Sequence, residues 1–122
     1  MLAVIVLAHG SRDPQWFGPV EAVAQAVAAR LPEARVCCAY LELCAPTLPE
    51  AAARLVAEGA TRLRVLPLFF GLGKHARQDL PLLAEALQQA HPQVRFEWLP
   101  TPTEQPRLLA LLAELAVAES PP

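Results

Sequence analysis

The chain lacks any apolar run approaching the roughly 18 residues of a membrane-spanning helix, and Met1 leads directly into what reads as a core strand. No targeting segment is expected, and the location predicted is the cytoplasm. Basic excess is also missing. Nine arginines and one lysine stand against 12 acidic residues, a formal charge of -2, so general nucleic-acid binding, which needs a basic stripe, is excluded. Cysteine is scarce: Cys37, Cys38 and Cys44 are odd in number and show no Cys-x-x-Cys spacing, which reads as buried, reduced thiols. A nucleophile elbow is absent as well, because His9-Gly10-Ser11 is not Gly-x-Ser-x-Gly, and this argues against a serine esterase. Only 18% of residues are charged while 54% are hydrophobic. Such an apolar composition predicts that a partner subunit covers part of the surface. With 122 residues, the chain reads as a single domain, residues 1–122, around one core.

What is present is a repeated β-α pattern. Leu2 to Ala8 is an unbroken apolar run containing two valines and an isoleucine, the signature of a strand buried on both faces. After a loop over residues 9–18, Val20, Val23, Ala24, Val27 and Leu31 recur at helical spacing until Pro32. Val36 to Leu41 reads as a second strand. Thr47 and Glu50 form a capping box for a helix that Gly59 closes. Arg62 to Phe69 reads as a third strand, and Asp79 as the N-cap of a third helix with Pro81 in its first turn. Val94, Phe96 and Trp98 alternate with Arg95 and Glu97, the pattern of a half-exposed edge strand. Thr103 is expected to cap a last helix carrying Leu108, Leu111, Leu112 and Leu115, and Ser120-Pro121-Pro122 to fray. Four β-α units imply an α/β fold in three layers, α/β/α, with a four-stranded parallel sheet in order 2-1-3-4.

In that order the chain reverses direction between strands 1 and 3, where such sheets form a ligand crevice at their carboxyl ends. His9 follows strand 1, Glu42 follows strand 2, and His75 follows the glycine-punctuated end of strand 3. Two imidazoles and a carboxylate converging on an open cleft suit a divalent first-row metal such as cobalt, iron, nickel or zinc. Ordinary hydrogen-bonding roles for the same residues stay open. Arg12, Lys74 and Arg77 share those loops in a protein of net negative charge, a rim suited to an acidic ligand. His91, before Pro92 at the opposite edge, reads as a surface residue. Trp16 and Phe17, beside the first loop, read as core or interface packing, with stacking on a flat ligand as the other option.

Taken together, Leu7-Ala8-His9-Gly10-Ser11-Arg12-Asp13-Pro14, Tyr40-Leu41-Glu42 before Pro46-Thr47-Leu48, and Pro67-Leu68-Phe69-Phe70 with Gly73-Lys74-His75 and Asp79-Leu80-Pro81 resemble the sirohydrochlorin chelatases. The likeness is to their small, single-domain cobaltochelatase form and runs along nearly the whole chain. It implies a chelatase-like domain, half of a flavodoxin- or Rossmann-like architecture. It also implies an ATP-independent enzyme of class II that inserts a divalent metal into sirohydrochlorin on the way to cobalamin or siroheme. Cobalt is the first expectation, with iron or nickel as others. Under the resemblance His9, Glu42 and His75 bind the incoming metal and carry catalysis; Ser11, Arg12, Gly73, Lys74 and Arg77, on the same loops, are expected to hold the tetrapyrrole. The metal is then a substrate, with no permanently bound cofactor, and the chain pairs as a homodimer.

Metal insertion has to remove the inner pyrrole protons, and a neutral imidazole is both a proton acceptor near pH 7 and a metal ligand. A non-catalytic metal or tetrapyrrole carrier would use the same residues and remains an alternative. A histidine phosphatase ranks third, because Ala8 stands where that chemistry wants an arginine before the histidine.

Overall fold

Strand β1, Leu2–Ala8, occupies the centre of the molecule, and its residues from Ala3 to Ala8 are all buried in the computed structural model. The structure describes residues 1–71 and 73–119; Leu72 and the Ser120-Pro121-Pro122 end lie outside the described residues. β1 pairs in parallel with β2, Arg35–Tyr40, on one side and with β3, Arg62–Pro67, on the other. β4, Arg95–Trp98, pairs with β3 and forms the edge. The order is therefore β2-β1-β3-β4, as the apolar runs predict.

Alternation along β1 divides the core in two. Ala3, Ile5 and Leu7 join Leu63 and Val65 on one face, covered by α2, Leu48–Ala57, and α3, Lys74–Ala90. Val6 and Ala8 look the other way, onto α1, Phe17–Arg30. Helices thus lie on both faces, as right-handed crossovers in this strand order demand. α4, Pro106–Val117, has no buried residue.

Local chemistry explains most element ends. The Thr47 hydroxyl accepts from the Glu50 N–H at 3.3 Å while the Glu50 carboxylate accepts from the Thr47 N–H at 2.9 Å, the reciprocal capping box that starts α2. Those bonds hold the Glu50 carboxyl below its usual range. Gly59 follows the helix with φ +108°, a conformation that side chains disfavour.

Three helix starts and the ends of two strands differ from the sequence expectation. The first loop is shorter than 9–18, because a single 3-10 turn at Pro14–Trp16, capped by Asp13 Oδ1 accepting from the Gln15 N–H, leads straight into α1. α3 begins at Lys74 with Gly73 as N-cap, so Asp79 does not cap it and Pro81 lies inside it. Proline there deprives the Arg77 carbonyl of its helical donor, but Arg77 and Pro81 are both exposed, so water can serve that carbonyl. Thr103 sits within a short 3-10 turn, Pro102–Glu104, and α4 starts after Gln105 with Pro106 in its first turn. The strands shift by a residue or two, β2 to Arg35–Tyr40 and β3 ending at Pro67, although the Leu68 N–H still donates to the Leu7 carbonyl at 2.8 Å.

The cysteines are free and half-buried, and burial raises the thiol pKa of Cys37 and Cys38. Trp16 and Phe17 pack edgewise at 5.4 Å and both meet Tyr40, at 6.0 and 5.3 Å. They belong to the core beneath α1. Burial pushes the Tyr40 hydroxyl up to about 12. His91 ends α3 at the opposite sheet edge and faces Phe96.

Candidate metal site at the carboxyl edge of the sheet

The parallel ladder between β1 and β2 continues past the last strand residues. With Ala8 opposite Tyr40, the Leu41 N–H donates to the Ala8 carbonyl and the Glu42 N–H to the His9 carbonyl, both at 3.1 Å. The segment 41–46 is closed by the Tyr40 N–H, which donates to the Pro46 carbonyl at 3.0 Å. Backbone pairing alone therefore carries Glu42 to the side of His9. Their side chains meet, His9 Nε2 to Glu42 Oε1 at 2.9 Å.

Gly10 makes that approach feasible. It has φ +115°, and a Cβ at this position would overlap the Glu42 carbonyl oxygen and lie 2.9 Å from its carbon. Only a residue without a side chain lets the two loops close on one another. The sequence reading held Gly10 within a motif but assigned it no role. The buried Phe69 ring stands perpendicular to the His9 imidazole, with centroids 6.4 Å apart. Both members of the pair stay open to solvent, with side chains 58% and 57% exposed, so the contact adds little to stability and is available to a ligand.

A cavity of about 590 Å³ opens over the pair. Its far wall is the start of α3, from which Gly73, Lys74, His75, Ala76 and Asp79 border it, and Leu41, Leu80 and Leu83 form an apolar floor. His9, Glu42, His75, Gly73 and Lys74 are thus brought to one cleft. Arg12, Arg77 and Ser11 are not part of its lining; Ser11 lies on the adjoining loop, where its hydroxyl accepts from the Asp13 N–H at 3.0 Å. Asp79 is the lining residue that the sequence reading gave only a structural role. Its signal was available: it stands four residues after His75, on the same helical face once the helix is known to start at Lys74.

Among the described residues no group of three His, Cys, Asp or Glu side chains stands close enough together to hold an ion outright. The donors nevertheless fit one. A paired imidazole and carboxylate with a second imidazole across an open cleft form an incomplete shell of borderline and hard donors, matched to divalent first-row metals. Lys74 adds one cation to a lining that also holds the Glu42 and Asp79 carboxylates.

Known proteins share this fold. The chain resembles in fold a CbiX protein from Marinobacter aquaeolei VT8, with a TM-score of 0.80 and 30% identity, over 95% of this chain and 94% of that one. It also resembles the sirohydrochlorin chelatase SirB from Bacillus subtilis subspecies spizizenii in complex with cobalt, with a TM-score of 0.69 and 25% identity, over 83% of this chain and 43% of that longer one. Among curated relatives, a sirohydrochlorin cobaltochelatase of Saccharolobus solfataricus is 37% identical over 83 residues, and one of Methanopyrus kandleri 35% identical over 81. Those matches take in 68% and 66% of this chain and span 63% and 57% of the relatives' lengths. The CbiX family model matches residues 3–119, from the first central strand to the last helix. With the family model matched over nearly the whole chain and the same fold in these neighbours, the chain belongs to the CbiX family.

Proposed function

We propose that this chain inserts a divalent metal ion into sirohydrochlorin without nucleotide hydrolysis. The observation that carries this reading is the His9–Glu42 contact at 2.9 Å, at the mouth of a cavity whose opposite wall holds His75. Relatives named sirohydrochlorin cobaltochelatase and a related chelatase crystallised with cobalt support the substrate and make cobalt the first candidate. The donor set suits iron and nickel too, so the metal, and with it cobalamin or siroheme as destination, is decided by supply as much as by the site.

The incoming metal takes the place of the hydrogen bond between His9 and Glu42, whose proton leaves to solvent, and His75 meets it from α3. Held weakly by an unfilled shell, the ion faces the ring, whose inner nitrogens take over as ligands while both their protons leave. One histidine accepts a proton at the ring nitrogen it frees, and Glu42 passes protons on to solvent. Arg12, Lys74 and Arg77 hold the peripheral carboxylates, with Ser11 and the Gly73 backbone beside them. The apolar floor of Leu41, Leu80 and Leu83 receives the ring face.

Residues 1–122 act on this reading as one domain that pairs with a second copy in the cytoplasm, where three free thiols are at home. The leucines of α4 support pairing: Leu109, Leu111, Leu115 and Val117 are 47%, 48%, 65% and 81% exposed on a helix that buries nothing. Sedimentation equilibrium is expected to give the mass of two chains, and a monomer at micromolar concentration would contradict it.

The activity is tested by mixing metal-free sirohydrochlorin anaerobically with Co²⁺, Fe²⁺ or Ni²⁺ and following the absorption spectrum, with the protein far below the substrate concentration. Many turnovers per protein are expected. A spectrum that reports binding at the protein-free rate would make the chain a carrier.

A further inference from the structure

Asp79 has been freed of the role its sequence context assigns to it. α3 is capped by Gly73 and starts at Lys74, so Asp79 lies in the second turn instead of at the helix start. Aspartate is a poor residue for a helix interior, since its short carboxylate competes for backbone donors. Along α3 the cavity is lined at 74, 75, 76, 79, 80 and 83, and past the helix start these positions follow a single stripe. Asp79 therefore shares with His75 the face turned to the metal cleft.

Residues three and four apart are side-chain neighbours on a helix, with Cβ atoms roughly 5–6 Å apart. For Asp79 these neighbours are His75, Ala76, Leu82 and Leu83, so the imidazole is its one polar partner along the helix. The other carboxylate of the cleft, Glu42, is already engaged by His9. Each imidazole of the cleft thus has a carboxylate neighbour, in contact for His9 and Glu42 but not yet hydrogen-bonded for His75 and Asp79.

We propose that Asp79 is a positioning residue for His75: its carboxylate accepts the N–H of the imidazole whose other nitrogen takes the metal. A metal-bound histidine holds its ring by donating its second N–H, and a carboxylate acceptor fixes the tautomer and raises the basicity of the coordinating nitrogen. Asp79 supplies this to His75 from one turn away, and the ring is aimed before the tetrapyrrole arrives. This inference rests on His75 being a metal ligand, as proposed above.

The test uses the full chain without tetrapyrrole, comparing Co²⁺ affinity from the visible cobalt absorption in wild type, Asp79→Asn, Asp79→Glu and His75→Ala. Asp79→Asn is expected to bind about 10- to 100-fold more weakly, with Asp79→Glu recovering much of the loss and the melting temperatures of both unchanged. In the wild-type protein loaded with Zn²⁺ as a diamagnetic probe, long-range ¹H–¹⁵N spectra are expected to show His75 as one tautomer with a slowly exchanging N–H. Asp79→Asn should lose that signature. If Asp79→Asn binds Co²⁺ within about twofold of wild type while His75→Ala has lost binding, or if the wild-type His75 N–H exchanges freely, Asp79 has no positioning role. If His75→Ala itself keeps full affinity, the metal site falls, and the inference with it.

Discussion

Gly10→Ala is expected to open the metal site and to destabilise the fold in one step. The new Cβ overlaps the Glu42 carbonyl oxygen, and neither side can yield cheaply, because both are backbone at the end of the β1–β2 ladder. The residue would also be held at φ +115°, outside the range that side chains tolerate. Backbone strain costs about 1–3 kcal/mol and overpacking a similar amount, so a loss of about 2–6 kcal/mol is expected. In a domain of this size that corresponds to a melting temperature lower by about 10 °C or more, read by calorimetry. Because relief requires the His9 and Glu42 loops to part, Co²⁺ affinity should fall with stability. Gly18→Ala is the control. Nothing lies within 4 Å of a Cβ added there, in the first turns of α1, and alanine should stabilise that helix by about 0.5–1 kcal/mol. A Gly10→Ala protein that melts and binds metal like wild type would refute the backbone origin of the His9–Glu42 pair.

His75→Ala is expected to separate chemistry from folding. His75 is exposed and lies in the first turn of α3, where alanine serves the helix at least as well. The melting temperature should therefore hold. Insertion of metal into sirohydrochlorin should fall by about 10²- to 10⁴-fold, the range that a positioned proton acceptor contributes, with the loss of a ligand added to it. His9→Ala should also disable insertion, but it additionally strands Glu42. The contrast between the two variants isolates the proton-accepting role from the pre-paired ligand. Full activity in His75→Ala would remove that residue from the mechanism.

The fold was legible where one physical signal dominated. Leu2 to Ala8 has no polar residue to mark an exposed face, and it is the buried central strand with the bounds its apolar run suggests. The reciprocal Thr47–Glu50 pattern leaves the start of α2 no competitor. Signals in competition were misleading. Before α3, Asp79 followed by Pro81 favours a late start, yet the helix starts at Lys74 with Gly73 as N-cap and takes the exposed Pro81 inside. Thr103 was outranked in the same way by Pro106, which fits the first turn of α4.

The site divides along the same line. The 33-residue interval between His9 and Glu42 is one more than the strand register, Ala8 opposite Tyr40, and the Glu42 N–H to His9 carbonyl bond past the ladder brings their side chains together. His75 comes from a helix end beyond the ladder, so the sequence could bring it to the correct sheet edge but not to a distance. Asp79 stayed hidden because its cavity-facing position depends on where α3 begins. Gly10 stayed hidden because a close backbone approach is a property of two loops at once.

The metal site itself is tested most directly by soaking crystals of the protein with Co²⁺ and recording anomalous diffraction on either side of the cobalt edge. The account predicts one strong peak in the cleft at the carboxyl edge of the sheet, bonded to His9, Glu42 and His75 at about 2.0–2.2 Å. The start of α3 should have moved in to complete the triad. A peak elsewhere, or one on His9 and Glu42 without His75, would contradict it.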